Sequence, residues 1–263
     1  VIDIGLNLTH VSFERDLEDV LKRATWAGVT GYILTGSSVD NMEATIALAE
    51  KIDIAYCTSG IHPHYASTFN LSVSKLIRDC AAHPKVKAIG ETGLDYNRDF
   101  SPRPDQKKSF EAHIEIAEET DLPLFLHERE AGEDMLDILK AHRDDISEGV
   151  IHCFTGEKKT LYGYLDLDMH IGITGWICDE RRGYHLHEFV KDIPLKRLMI
   201  ETDAPYLTPR NLPLDEKKRM ARRNEPCALP FVLDMIAEHR HEGRDEIEAG
   251  VTNTSKAFFR LSD

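Results

Sequence analysis

Short apolar runs alternate along this chain with stretches in which apolar side chains recur every three or four residues. Eight runs read as strands, at residues 1–6, 31–36, 54–60, 86–91, 123–127, 149–154, 170–175 and 197–203. Several are continuously apolar, the pattern of strands covered on both faces. Between them, Phe13, Leu17, Val20, Leu21 and Ala24 step at helical period. So do Phe110, Ile114 and Ala117, and then Met135, Ile138 and Leu139. Eight strands alternating with helices predict an α/β fold, a (β/α)8 TIM barrel. A doubly wound open sheet is the competitor, but no GxGxxG turn occurs to serve its ligand crevice. One long irregular stretch, 204–228, carries Pro205, Pro209, Pro213 and Pro226. It precedes an apolar helix at Leu229, Val232, Leu233 and Ile236. A loop of that length is functional or disordered, and after the eighth strand it is expected over the active rim. The 263 residues suit one barrel, which takes about 250, so one domain over 1–263 is expected.

Four of the strands end on residues that bind metals or move protons. VKAIGE ends on Glu91, PLFLH on His127, GVIH on His152 and LMIETD on Asp203. A barrel presents its chemistry at the carboxyl ends of its strands. A carboxylate can bridge two cations, and neutral imidazole is the commonest metal-ligating side chain. Two carboxylates and two imidazoles from four strands therefore read as a metallohydrolase site. Gly90 and Gly93 beside Glu91 indicate close backbone packing or a sharp exit. Asp203 can hold a metal, take a proton from a water, or do both. Asp95 either joins the site or caps the loop after the fourth strand. The third strand leads into Gly60-Ile61-His62-Pro63-His64. His62 and His64 either meet a substrate phosphate or a leaving group, or fix the loop through backbone hydrogen bonds.

Charge and cysteine content narrow the class. The net charge is −14, which argues against non-specific coating of nucleic acid but not against a local grip on one strand end. Five cysteines without a CxxC pair argue against a disulfide framework and for a reducing, cytoplasmic setting. No apolar run reaches the length of a membrane span, and no basic-then-apolar leader is evident. Basic residues cluster at Arg181 and Arg182, and again at Lys217, Lys218, Arg219, Arg222 and Arg223. Loops after strands seven and eight of a barrel often hold phosphate, although a charge run also serves as a plain solvated face. Trp176 and Tyr206 either stack on a base or pack under loops.

Together these segments carry a resemblance. The opening VIDIGLNLT, GIHPH at 60–64, AIGETGLDY at 88–96, LFLHERE at 124–130 and IHCFTG at 151–156 form its first half. IGITGW at 171–176, ETDAPYLTPR at 201–210 and RRNEP at 222–226 complete it. In this order, across essentially the whole chain, they resemble the TatD family of deoxyribonucleases. The resemblance implies a metal-dependent barrel of the amidohydrolase type that hydrolyses phosphodiesters. Its bacterial branch implies a Mg²⁺-dependent 3′–5′ exonuclease on single-stranded DNA and RNA, a part in DNA repair or degradation, and a monomer. It implies Glu91 as bridging ligand, His127 and His152 on one metal, and Asp203 on a second metal and the attacking water. It also implies His62 on substrate phosphate and Arg223, Asn224 and Glu225 in a terminal loop motif. A small-molecule amide, ester or phosphoester hydrolase on the same barrel is the alternative, because fold does not fix function.

One departure stands out. Many relatives open with Asp-x-His-x-His, whose histidines hold the first metal. Here the stretch is Asp3-Ile4-Gly5-Leu6-Asn7. Gly5 has no side chain and Asn7 offers only an amide oxygen, so weak first-site binding is expected. Oxygen donors favour Mg²⁺ there, with Mn²⁺ or Zn²⁺ as other options and one or two ions in all.

Overall fold

The computed structural model describes residues 1–261; Ser262 and Asp263, at the end of the expected domain, lie outside them. Eight parallel strands lie in sequence order: β1 Ile2–Leu6, β2 Gly31–Leu34, β3 Ala55–Ser59, β4 Val86–Asp95, β5 Leu124–Arg129, β6 Gly149–His152, β7 His170–Ile173 and β8 Leu198–Ile200. The helices are α1 Leu17–Trp26, α2 Val39–Lys51, α3 Leu71–Ala81, α4 Arg103–Thr120, α5 Gly132–Ala141, α6 Lys158–Asp166, α7 Leu186–Phe189, α8 Leu214–Arg219, α9 Leu229–Glu238 and α10 Arg244–Phe258. The β8–β1 seam is held by backbone bonds just past β8. Asp203 N–H donates to Gly5 O at 2.8 Å and Asn7 N–H to Ala204 O at 2.8 Å. The sheet thus curls into the expected barrel.

Side-chain alternation sorts the core into two layers. Ile2, Ile4, Ile33, Ala88, Phe125, Val150 and Met199 fill the barrel. Phe258 and Phe259, at the end of α10, join them. The opposite strand faces pack against the helices, where Phe110 and Ile114 of α4, Met135 and Leu139 of α5 and Leu229, Val232 and Ile236 of α9 are buried. Burying each such side chain contributes about 1.5–3 kcal/mol. Phe13 belongs to a separate 3-10 turn, Val11–Phe13, rather than to α1.

Two differences from the sequence reading matter. β4 does not end at Glu91 but runs four residues further, to Asp95. The stretch 204–228 contains α8 and its own apolar cluster of Leu212, Met220, Cys227 and Ala228. Only its beginning faces the mouth of the barrel. The rest is tied to α1 through Glu225, a buried carboxylate. Arg23 bonds it at 2.8 Å, Arg219 at 2.7 Å and Arg223 at 3.2 Å. Asn224 Nδ2 donates to Thr202 O at 3.0 Å.

Burial pushes the Glu225 carboxyl up, but Arg23 and Arg219 outweigh it and hold it below the ordinary glutamate range. A depressed carboxyl stabilises the fold above its unfolded pKa, and that contribution is lost as pH falls through the folded value. Glu225→Ala is expected to cost about 2 kcal/mol, less than a fully buried pair because the guanidiniums keep some water. Urea denaturation should show this at neutral pH and a smaller difference in acid.

Candidate active site

The site sits at the carboxyl ends of the strands, where two glycines of β4 lie against the β5 backbone. Gly90 and Gly93 adopt φ of +142° and +135°. A Cβ on either would lie 2.1 Å from the carbonyl oxygen of Phe125 or of His127. Of the two meanings open for these glycines, close packing is the one realised. It sets Glu91 and Asp95 of one strand beside His127 of the next.

Glu91 is the hub. Its Oε1 lies 2.8 Å from His152 Nε2, 3.0 Å from His127 Nδ1 and 3.3 Å from His62 Nε2. Burial pushes Glu91 up, yet the His62 and His152 rings and the bonds from His127 and His152 bring it well below the usual range. Burial likewise opposes charge on His127 and His152, and their carboxylate partners override it and raise both. His62 goes the other way, pushed down to about 3 chiefly by burial. Its Nδ1 accepts from the His64 backbone N–H at 3.0 Å. His62 therefore fixes the turn with one nitrogen and faces Glu91 with the other.

Asp95 also does two things. Oδ1 accepts from the N–H groups of Asn97 at 3.0 Å and Arg98 at 2.8 Å, capping the loop. Oδ2 meets His64 Nε2 at 2.9 Å and His127 Nε2 at 3.2 Å. Burial raises its pKa, but the two imidazoles and the backbone donors leave it well below the usual range.

Asp203 follows β8 with φ +53°, an uncommon conformation for a residue other than glycine. Asn7 Nδ2 donates to its Oδ1 at 3.2 Å. Burial, with help from Glu91 and Glu201, pushes its carboxyl up to about 7.

All of Glu91, His127, His152, Asp203, His62, His64 and Asn7 line one cavity of about 370 Å³, with Trp176 and Tyr206 on its walls. Donor atoms of His62, Glu91 and His127 lie within 4.8 Å of one another, close enough to share a cation. Adding His152 on the same Glu91 oxygen gives imidazoles and a carboxylate in a mostly buried mouth, a donor set that fits a divalent ion.

Other candidates lie elsewhere. Asp3 is buried in the barrel seam, where it accepts from Thr202 N–H at 2.9 Å and Thr202 Oγ1 at 2.5 Å. Arg223 bonds Asp16 and lies over the Phe13 ring, and Asn224 and Glu225 anchor the loop as described. None of the three lines the cavity. Arg181 and Arg182 pair with Asp179 at 3.1 and 2.9 Å. Lys217, Lys218, Arg219 and Arg222 do not line the cavity either.

Two kinds of residue escaped the sequence reading. Arg98 and Arg129 are the arginines that do line the cavity. Glu201 is fully buried and bonds His152 Nδ1 at 3.3 Å and Cys153 N–H at 2.5 Å. Arg129 stands two residues beyond His127 on β5, a spacing that shares a strand face and was the available signal; Glu201 lies just past β8, where that spacing gives no such signal. Glu201 also bears on Gly5. A Cβ at position 5 would lie 2.1 Å from Glu201 Oε2, so its carboxylate fills the space that a ligand on residue 5 would need.

The family described as TatD related DNase matches residues 2–260. The chain belongs to this family. The 3′-5′ ssDNA/RNA exonuclease TatD of Rahnella sp. (strain Y9602) is 44% identical over 263 residues, covering 100% of this chain and 99% of that protein. The enzyme of the same name from Salmonella typhimurium is 41% identical, with 99% of each chain covered. The TatD homologue YJJV of Escherichia coli K12 superposes with a TM-score of 0.88 at 26% identity, over 99% of this chain and 98% of that one. Amidohydrolase 2 from Bifidobacterium longum subsp. infantis shares the barrel alone, with a TM-score of 0.57 at 14% identity over 100% of this chain and 99% of that one. The site is thus the mouth of a TatD-type barrel.

Gly5→Ala should destabilise the protein by about 1–3 kcal/mol through overpacking. Most of that added cost should vanish in a Glu201→Ala background, where the colliding carboxylate is gone. Chemical denaturation of both single variants and the double variant checks the coupling.

Proposed function

We propose that this chain is a metal-dependent 3′–5′ exonuclease of single-stranded DNA and RNA, working as one barrel domain and a monomer. The observation that carries this reading is the convergence of three imidazoles on Glu91 Oε1 inside a nucleotide-sized cavity, in a chain that belongs to the TatD-related DNases. Glu91, His127 and His152, with His62 close by, would hold one divalent cation, Mg²⁺ foremost. Such an ion supplies Lewis-acid polarisation of the scissile phosphate and a more acidic water. With Gly5 empty and Asn7 engaged by Asp203, a second ion has few donors.

Asp203 is the base. Held near pKa 7 by burial and oriented by Asn7, it takes a proton from the attacking water. A P–O bond forms as the bond to the 3′ oxygen of the preceding nucleotide breaks, that oxygen takes up a proton from solvent to become a hydroxyl, and a 5′-mononucleotide leaves. Asp95 keeps the His127 ring oriented, and His62 offers its Nε2 edge toward the phosphate. A role in DNA repair or degradation in the cytoplasm is the setting this activity suits. Free cysteines support a reducing compartment, and no helix among the described residues is long and apolar enough to cross a membrane.

Oligonucleotides labelled at either end provide the test. Stepwise loss from the 3′ end with Mg²⁺, stopped by EDTA and by Glu91→Ala, is the expected result. Cleavage of small esters or amides with intact oligonucleotides would replace this reading with the small-substrate hydrolase. Asp203→Asn should lower kcat by about 10²–10⁴-fold, the range for loss of a general base, with oligonucleotide binding retained. An unchanged kcat would remove Asp203 from that role.

A further inference from the structure

Among the described residues, thirteen of the seventeen arginines of this acidic chain pair with a carboxylate, and the exceptions are Arg15, Arg98, Arg129 and Arg222. Arg15 and Arg222 are exposed on the outside of the barrel. Arg98 and Arg129 both line the active cavity. A net charge of −14 makes a carboxylate easy to find, so two unpaired guanidiniums at one mouth call for another anion. Arg129 is placed with some care. It ends β5 two residues beyond His127, on the same face and about 6.6 Å further up the rim. Tyr96 N–H bonds its carbonyl at 2.9 Å, which fixes that strand end.

A second cavity, of about 280 Å³, opens beside the first and shares Glu128, Arg129, Thr155 and Trp176 with it. The Arg129 guanidinium lies 5.8 Å from the Trp176 ring, and Arg182 lies 4.3 Å from it. Beyond Trp176 the walls carry Glu130 and Glu157, which repel phosphate and leave room for a neutral base. Glu128 is already satisfied, by Ala131 N–H at 2.8 Å and the Tyr164 hydroxyl at 3.2 Å.

We infer that Arg129 and Trp176 form a subsite for the nucleotide next to the one being removed. Arg129 grips its phosphate, which a planar guanidinium can do with two hydrogen bonds. Trp176 stacks its base in the side cavity, which needs an unpaired base and so favours single strands. Arg98 stands at the outer lip. The inference rests on the nuclease reading above and deepens it.

Binding of a phosphorothioate hexathymidylate by the Mg²⁺-loaded protein, followed by fluorescence anisotropy, tests it. Thymidine 5′-monophosphate, competing for the inner cavity alone, is the control. Arg129→Ala should weaken hexamer binding about tenfold and make the slope of log K against log salt shallower by about 0.7, one phosphate contact on a single strand. Trp176→Ala should weaken it about tenfold with no change of slope, and Trp176→Phe should restore it. Mononucleotide affinity should hold in all three. Arg129→Gln, which keeps the packing volume, gives the same readout should the alanine variant fail to fold. Hexamer affinity and salt slope equal to wild type, or equal losses for hexamer and mononucleotide, would overturn the subsite alone. Wild-type protein that cleaves bis(p-nitrophenyl) phosphate but does not bind the hexamer would overturn the nuclease reading and the subsite with it.

Discussion

A carboxylate taken out of water is costly unless positive charge or hydrogen-bond donors come with it, and the organisation of this molecule follows from how Glu91 meets that condition. Three imidazoles from three separate segments converge on one of its oxygens. Each is then oriented by something else. His62 is fixed by the backbone of His64, His127 by Asp95, and His152 by Glu201. The carboxylates make His127 and His152 more basic, against the burial that opposes their charge, and the same nitrogen and oxygen atoms are donors that suit a divalent cation. The capacity of the site to hold a cation and its electrostatic stability rest on the same groups.

That convergence depends on a closed barrel, and closure depends on what little space remains between strands. Two glycines in β4 let it press against β5. Gly5 in β1 leaves room for Glu201, which reaches across the barrel to His152. The absence of a side chain at position 5 is therefore put to use. The volume that would have held a ligand on residue 5 holds a carboxylate that aims one of the remaining imidazoles. Asn7, the other altered position, supports Asp203 instead.

The distribution of arginines tells the same story at the surface. The basic run after β8 suggested a phosphate grip from its position in the chain, yet Arg219 and Arg223 pair with Glu225 inside the loop, and Arg23 ties that carboxylate to α1. The cations left for an anionic ligand are those that no neighbouring carboxylate reaches, and sequence order does not reveal which those are.

Periodicity alone determined the eight strands, the helices between them and the barrel, because buried parallel strands and amphipathic helices leave patterns that need no partner to be read. It also pointed to Glu91, His127, His152 and Asp203 at one rim, because the carboxyl-terminal parts of parallel barrel strands share that rim, even though β4 and β5 run past Glu91 and His127 and β8 stops before Asp203. The motifs together pointed to the family. Only the tertiary structure decided that β4 runs on to Asp95, that Asp95 serves the loop and the imidazoles at once, and that Asp3 belongs to the seam. It alone decided that Arg223, Asn224 and Glu225 hold the fold, while Glu201 and Arg129 join the site. These outcomes turn on distances of a few ångströms between residues far apart in the chain. A side chain's role there is set by which partner reaches it first, and that is a property of packing rather than of residue type.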